Sequence, residues 1–205
     1  DVQGRPIGFT ARIFTKEGSS TDVDKVGKYV NSREGKLFDK SSVLLNLSNA
    51  RRAIVRNKRA VVVEGVMDVI ALYEAGVEEA VGVLGTALTS KHADLLSRYT
   101  NNVVLLFDGD SAGINATKRS AVNLFGAGLY VDVGILPDGL DPSDVLNRDK
   151  GELVEIVNKP VNYFEFVLRG IGDVVSSQEK AEVLSSGVFP ALFAIQSPIY
   201  FNEMV

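Results

Sequence analysis

The sequence predicts an α/β chain: a parallel sheet flanked by helices, preceded by a basic α+β segment and followed by a small helical lobe. Three observations carry this. Short apolar runs recur and each ends in an acidic cluster: Val61-Val62-Val63-Glu64-Gly65-Val66-Met67-Asp68, Val103-Val104-Leu105-Leu106-Phe107-Asp108-Gly109-Asp110, and Val133-Gly134-Ile135-Leu136-Pro137-Asp138-Gly139-Leu140-Asp141-Pro142-Ser143-Asp144. Such runs read as strands buried on both faces, as in parallel sheets. Between them lie stretches of helical length, and that alternation implies right-handed βαβ crossovers. Charge is also divided: residues 1–60 hold 13 Lys+Arg against 6 Asp+Glu, net +7, and residues 61–205 hold 9 against 20, net −11, which together give the chain's −4.

In chain order, residues 5–14 alternate enough for a strand, and the Gly/Ser/Asp-rich stretch 16–27 reads as a mobile loop. Residues 42–58 are expected to include a helix leading into a strand at 60–64. Then follow helix 67–75, strand 79–84, helix 89–99, strand 103–108, helix 112–126, strand 130–136 and helix 150–157. Helical stretches near 160–169, 176–186 and 189–195 form the tail. The expected division is a basic segment over 1–59, a sheet unit over 60–158 and a helical lobe over 159–205. There is no internal repeat and no low-complexity segment.

With 205 residues, 45% of them hydrophobic, the chain can bury a substantial core. It has no cysteine, which excludes a disulfide framework and a cysteine zinc ribbon within these residues, so no zinc is expected here. No apolar stretch approaches a membrane span and no signal peptide opens the chain, so a cytoplasmic protein without membrane contact is expected.

The acidic clusters carry the chemistry. Carboxylates just past buried strands fall at the carboxyl edge of the sheet, where open parallel sheets place their ligands. Mg²⁺ or Mn²⁺ takes oxygen donors, and Mg²⁺ in particular keeps several waters and is shared with substrate phosphates. Neighbouring strands lie about 4.8 Å apart, so acids on adjacent ends can serve ions about 3.5–4 Å apart. Gly65, Gly109 and Gly139 follow the acids and are expected to turn the backbone and leave room for a phosphate. Asp108 and Asp110, two apart in extended backbone, are expected to project together. In the basic half, Arg5, Arg12, Lys28 and Lys40, with Arg51 and Arg52, are candidates to attract a nucleic-acid backbone or a triphosphate; a solvated surface is the alternative.

Four segments, Glu64-Gly65-Val66-Met67-Asp68, Leu84-Gly85-Thr86-Ala87-Leu88-Thr89, Phe107-Asp108-Gly109-Asp110-Ser111-Ala112-Gly113 and Leu136-Pro137-Asp138-Gly139-Leu140-Asp141-Pro142, resemble in order and spacing the Toprim domain of bacterial DnaG-type primases. Lys28-Tyr29-Val30-Asn31-Ser32 and Leu37-Phe38-Asp39-Lys40 resemble the nucleotide-handling segment of the same family. The likeness spans about residues 4–158; the tail is similar only in position to the helical subdomain that closes the primase polymerase region.

The resemblance implies a Rossmann-like Toprim sheet and metal-dependent synthesis of RNA primers from NTPs on a single-stranded DNA template. Glu64, Asp108 and Asp110 would be catalytic, and Glu64, Asp68, Asp108, Asp110, Asp141 and Asp144 would bind metal. Lys28, Tyr29, Asn31 and Lys40 would contact the incoming or a competing regulatory nucleotide. A replicative helicase and a zinc-binding module would be partners in the full-length protein, of which this chain reads as an excised piece. The family loop commonly reads Asp-Pro-Asp, whereas here Ser143 takes the matching place and Asp144 stands one residue later. Val66 and Ser111 also depart from the pattern, without removing a ligand.

Plainer roles stand beside these. Asp68 in a first helical turn can serve the helix dipole, Asp144 can be an N-cap, and Thr89 can cap helix 89–99 rather than help its loop bind phosphate. His92 is expected to be solvated and without catalytic role. Lys118 and Arg119 fit either phosphate steering or an exposed helix face. A strand-breaking Toprim enzyme and a binding-only module are the rival functions.

Overall fold

The computed structural model describes residues 1–12, 29–172, 176–195 and 201. The predicted loop at 16–27 and the candidate Lys28 lie outside the described residues. Two short strands open the chain: β1 (Thr10–Arg12) pairs antiparallel with β2 (Tyr29–Asn31). The strand expected over 5–14 is therefore confined, among the described residues, to three, and its partner was not foreseen.

The main sheet contains β3 (Ala60–Val63), β4 (Ala80–Gly82), β5 (Asn102–Leu105), β6 (Tyr130–Val133) and β7 (Val161–Asn162), in the spatial order β4-β3-β5-β6-β7. The first four run parallel and β7 runs antiparallel to β6. All four residues of β3 are fully buried, as a run of Ala and three Val on a two-faced sheet requires. Successive side chains go to opposite layers. Val62, Val81, Val103 and Leu105 meet the side that holds α1 (Leu47–Asn57), α3 (Ser90–Leu96) and α4 (Ser111–Gly126). Val61, Val63 and Val104 meet the side that holds α2 (Val66–Ala75), α5 (Pro142–Arg148) and α6 (Lys150–Asn158).

Two predicted elements differ for identifiable reasons. The helix expected from 42 starts only at Leu47, because Leu45 exchanges backbone hydrogen bonds with Gly82 at the edge of β4 (2.8 and 3.2 Å) and must stay extended. Helix α5 was not foreseen: Asp141-Pro142, read as part of an acidic loop, is an N-cap followed by proline at the first helical position. The tail gives α7 (Tyr163–Gly172), α8 (Ser177–Val183), a π-turn over Leu184–Val188 and α9 (Phe189–Ala194). It joins the sheet's own core. Tyr163 stacks edge-on against Phe125 of α4 with centroids 5.3 Å apart, and its hydroxyl donates to the Gly187 carbonyl at 2.9 Å.

At the opposite edge of the sheet from the acids, Arg59 donates to the buried Glu79 carboxylate (2.9 Å), to the Val157 carbonyl (3.2 Å) and to Asn158 (2.8 Å). Asn57 donates to the other Glu79 oxygen at 2.9 Å. One guanidinium thus ties the starts of β3 and β4 to the end of α6.

Candidate functional site

A cleft of about 530 Å³ opens at the carboxyl edge of β3, β4 and β5. Thr10, Arg12, Tyr29, Asn31 and Lys40 line it from the N-terminal segment, and Glu64, Asp68, Asp108, Asp141 and Ser143 from the sheet loops. Glu64 is the first residue past β3. Asp108 stands three past β5, where the chain leaves the sheet toward α4. Asp141 arrives on the loop after β6, and backbone hydrogen bonds explain how it meets Asp108. The Gly109 N–H donates to the Leu140 carbonyl (2.9 Å), and the Gly139 N–H returns to the Gly109 carbonyl (3.0 Å). The contact is so close that a Cβ on Gly109 would lie 2.3 Å from the Pro137 oxygen. Gly109 therefore makes room for the chain's own backbone, not for a phosphate as expected. Gly139 does turn the chain, at φ +73.

The N-terminal wall is fastened to the sheet side by side. Asn31 Nδ2 donates to the Leu84 carbonyl at 3.3 Å. The Thr89 hydroxyl donates to the Ser41 carbonyl, and Lys91 pairs with Asp39 at 3.0 Å. His92, expected to be solvated, is fully buried. Its Nδ1 accepts the Thr89 N–H (3.2 Å), and Nε2 lies 2.8 Å from the Lys40 carbonyl, which can only accept. Nε2 thus carries the proton, and burial lowers the ring's pKa and keeps it neutral. His92 positions Lys40 through its backbone. Thr89 is the N-cap of α3 as well. Over the cleft mouth, the Arg12 guanidinium lies 5.7 Å from the centre of the Tyr29 ring, in cation–π range.

Not every candidate faces the cleft. Arg5 pairs with Asp1 and lines a separate cavity, and Arg51 and Arg52 sit on α1 outside the lining. Asp110 is exposed and does not project in step with Asp108, because strand geometry ends at Leu105 and Asp110 is the N-cap of α4, accepting from Gly113 N at 2.8 Å. Asp144 is exposed and is not an N-cap. The cap is Asp141, which accepts from Asp144 N at 2.7 Å, with Asp144 completing a capping box. The cleft position falls to Ser143, whose Oγ is buried without a hydrogen-bond partner. Thr10 Oγ1 is in the same condition. Only the matching motif place pointed to Ser143, and nothing in the sequence marked Thr10. Asp68 fills both of its readings: its Oδ2 accepts from Gly65 N at 2.8 Å at the start of α2, and it lines the cleft.

Electrostatics make the cleft ask for positive charge. Asp68 is pushed up to about 7 by burial and then by Asp108, Asp141 and Glu64, against the Gly65 N–H. Burial and the Asp108 charge raise Glu64, with the Asp108 N–H and Arg119 pulling the other way. Burial raises Asp108 too, followed by Asp141, Asp110 and Asp144. One Glu64 oxygen, Oε1, is buried without a partner. Such carboxylates fit a hard divalent ion, an oxygen-binding cation. Among the described residues no three acid or histidine side chains form a ready-made coordination shell.

A pH test follows. Asp68 binds its proton more tightly folded, at about 7, than at its ordinary value of 3.8. Between those values the folded state holds a proton that the unfolded chain has released, so stability falls as pH rises through this window. Without divalent ions, the melting temperature should drop by several degrees from pH 4.5 to pH 7.5, at about 2–4 °C per kcal/mol for a chain of this size. Asp68→Asn should flatten that slope and Mg²⁺ at pH 7.5 should reverse the drop; a slope unchanged in Asp68→Asn rules Asp68 out as its source.

Comparison with known proteins places this geometry. The profile of the "DNA primase catalytic core, N-terminal domain" matches residues 1–51, and one described as "Toprim-like" matches residues 61–146. The DNA primase of Helicobacter pylori strain J99 is 39% identical over 153 residues, 74% of this chain and 27% of that protein. The crystal structure of the Aquifex aeolicus primase, with its zinc-binding and RNA polymerase domains, is 31% identical with a TM-score of 0.82, covering 100% of this chain and 48% of that one. A structure of the DnaG primase catalytic domain bound to ssDNA is 29% identical with a TM-score of 0.78, covering 100% of this chain and 66% of that one. The chain spans about a quarter to a third of the length of the curated relatives it matches.

Proposed function

We propose that this chain, which belongs to the bacterial DnaG-type DNA primase family, carries the centre that joins ribonucleotides into RNA primers on a single-stranded DNA template. The observation that supports this most is one cleft with a cationic and aromatic wall, Arg12, Lys40 and Tyr29, facing the acids Glu64, Asp68, Asp108 and Asp141. A triphosphate needs both sides. The ssDNA-bound relative supports a single-stranded template. No helix among the described residues is long and apolar enough to cross a membrane. The reading places the chain in the cytoplasm, with a replicative helicase and a zinc-binding module as partners in the full-length protein.

Glu64, Asp108 and Asp141 would hold divalent ions, Mg²⁺ or Mn²⁺, with Asp68 in support and Asp110 and Asp144 acting through their charge. When bound, such ions neutralise phosphate charge, lower the pKa of the attacking hydroxyl and align the two oxygens. The residues do the rest. Arg12 and Lys40 hold the triphosphate by charge, and Tyr29 offers a face to a base. Asn31 fixes the hairpin over the cleft. The 3′-oxygen of one nucleotide bonds to the α-phosphorus of the next as the bond to the bridging oxygen of pyrophosphate breaks, and the displaced hydroxyl proton leaves toward the acidic side, where Glu64 Oε1 is an unpartnered acceptor.

The test is primer synthesis from the four ribonucleoside triphosphates on single-stranded DNA. Synthesis should require a divalent ion and stop on chelation. A chain folded by circular dichroism that makes no product on any template, even with the remainder of the protein supplied, would refute the proposal.

A further inference from the structure

The start of α3 grips the short turn that carries Lys40. Lys91 Nζ donates to Asp39 Oδ2 at 3.0 Å and to Ser41 Oγ at 3.2 Å, the Thr89 hydroxyl donates to the Ser41 carbonyl, and His92 Nε2 donates to the Lys40 carbonyl at 2.8 Å. The gripped turn is stiff in itself, because Asp39 caps it by accepting from the Ser41 N–H (2.9 Å) and the Ser41 hydroxyl (2.6 Å). Lys40 is thus held by its backbone from behind while its side chain lines the cleft in front. The loop entering α3 is anchored as well: Asn123 of α4 donates to the Leu88 carbonyl at 2.8 Å, and α4 departs from the acidic loop at Asp110. The Lys40 wall and the acid-bearing frame are therefore joined through α3.

Of these contacts, that of His92 is the most demanding. A fully buried polar ring is tolerated only when its nitrogens are paired, and an apolar side chain would fill the same place without that requirement. Capping α3 does not need the imidazole either, since the Thr89 hydroxyl already accepts from the His92 N–H at 3.2 Å. What the ring adds is a rigid donor at Nε2 aimed at the backbone of Lys40. We propose that His92 is a positioning residue for the incoming nucleotide: through the Lys40 carbonyl it sets where the Lys40 ammonium meets the triphosphate. The proposal rests on the primer-synthesis reading. Lys40 touches the nucleotide and His92 does not. A Lys40 freed from that hold keeps its charge but loses its preorganisation, so nucleotide binding weakens while the chemical step, which belongs to the acids, is left alone.

The test separates the two ring nitrogens. His92→Asn keeps an acceptor where Nδ1 stands but is too short to reach the Lys40 carbonyl, whereas His92→Gln keeps a donor where Nε2 stands and gives up the acceptor for the Thr89 N–H. Primer synthesis by the full chain on single-stranded DNA is followed at rising nucleoside triphosphate, well below each melting temperature. His92→Asn should raise KM roughly fivefold, the worth of one neutral hydrogen bond, with kcat nearly unchanged. His92→Gln should keep KM near the wild-type value even though it too lowers the melting temperature. Lys40→Ala should raise KM roughly tenfold, the scale of a hydrogen bond to a charged group, and adding His92→Asn to it should raise KM no further. A merely structural role would instead move KM alike in both His92 variants, or in neither. Equal KM in His92→Asn and His92→Gln, or a full cost of His92→Asn in the Lys40→Ala background, overturns the positioning role alone. If His92→Asn does not fold, a raised KM in folded His92→Gln overturns it equally. No synthesis by the wild-type chain on any template overturns the primer-synthesis reading and this role with it.

Discussion

Asp108→Ala should reduce primer synthesis by about 10²–10³-fold or more, the scale for losing one preorganised electrostatic group at a reacting centre, while raising the melting temperature of the metal-free protein. The pairing of those signs is the useful part. Asp108 is half-buried, and its charge is opposed by burial and by Asp141, Asp110 and Asp144, while it in turn raises Glu64 and Asp68. A carboxyl whose folded pKa lies above its unfolded one destabilises the fold wherever it is ionised, so at neutral pH its removal should relieve repulsion. The backbone of Asp108, packed against Gly113, is kept. Asp108→Asn should show the same separation, with weaker synthesis than wild type and a higher melting temperature without metal. Synthesis at the wild-type level by Asp108→Ala would remove this residue from the mechanism. A variant that loses both synthesis and stability would instead show a role in folding.

The parts of this arrangement that could be read from sequence were those written in local patterns. A run such as Val61-Val62-Val63 has few ways to be satisfied other than a strand covered on both faces, and an acid immediately after it must stand at the strand's end. Glu64 comes to the cleft on that logic, and Asp108 and Asp141 join it from the loops after β5 and β6. The misses are tertiary or depend on caps. His92 looked solvated near a helix start, yet the carbonyl that buries it belongs to Lys40, 52 positions away. Asp110 looked like the second member of an extended pair, but an aspartate three residues before Gly113 competes for helix-capping duty, and capping won. The N-cap role expected of Asp144 falls to Asp141 for the same reason: Pro142 at the first helical position fixes the residue before it as the cap. Ser143, left facing the cleft, was visible only as a departure from a family motif.

The second large effect belongs to a residue with no side chain. Gly109→Ala should lower both synthesis and stability, and the physical reason is steric. A Cβ there would sit 2.3 Å from the Pro137 oxygen, 3.1 Å from its carbon and 3.3 Å from the Leu136 oxygen, all backbone atoms that no rotamer change can move aside. The two loops must part, which strains or breaks the reciprocal hydrogen bonds from Gly109 to Leu140 and from Gly139 to Gly109. Overpacking of this kind costs about 1–3 kcal/mol, and the melting temperature should fall by roughly 3–10 °C. Asp108 and Asp141 ride on the parted loops, and a misplacement of about 1 Å at a reacting centre can cost about 10²-fold in rate. Every candidate ligand remains in Gly109→Ala, unlike Asp108→Ala, so raising the Mg²⁺ concentration should draw the loops together and recover part of the lost synthesis. The same titration should recover none in Asp108→Ala. Wild-type synthesis by a destabilised Gly109→Ala protein would mean that the spacing of Asp108 and Asp141 is set by something other than this backbone seam.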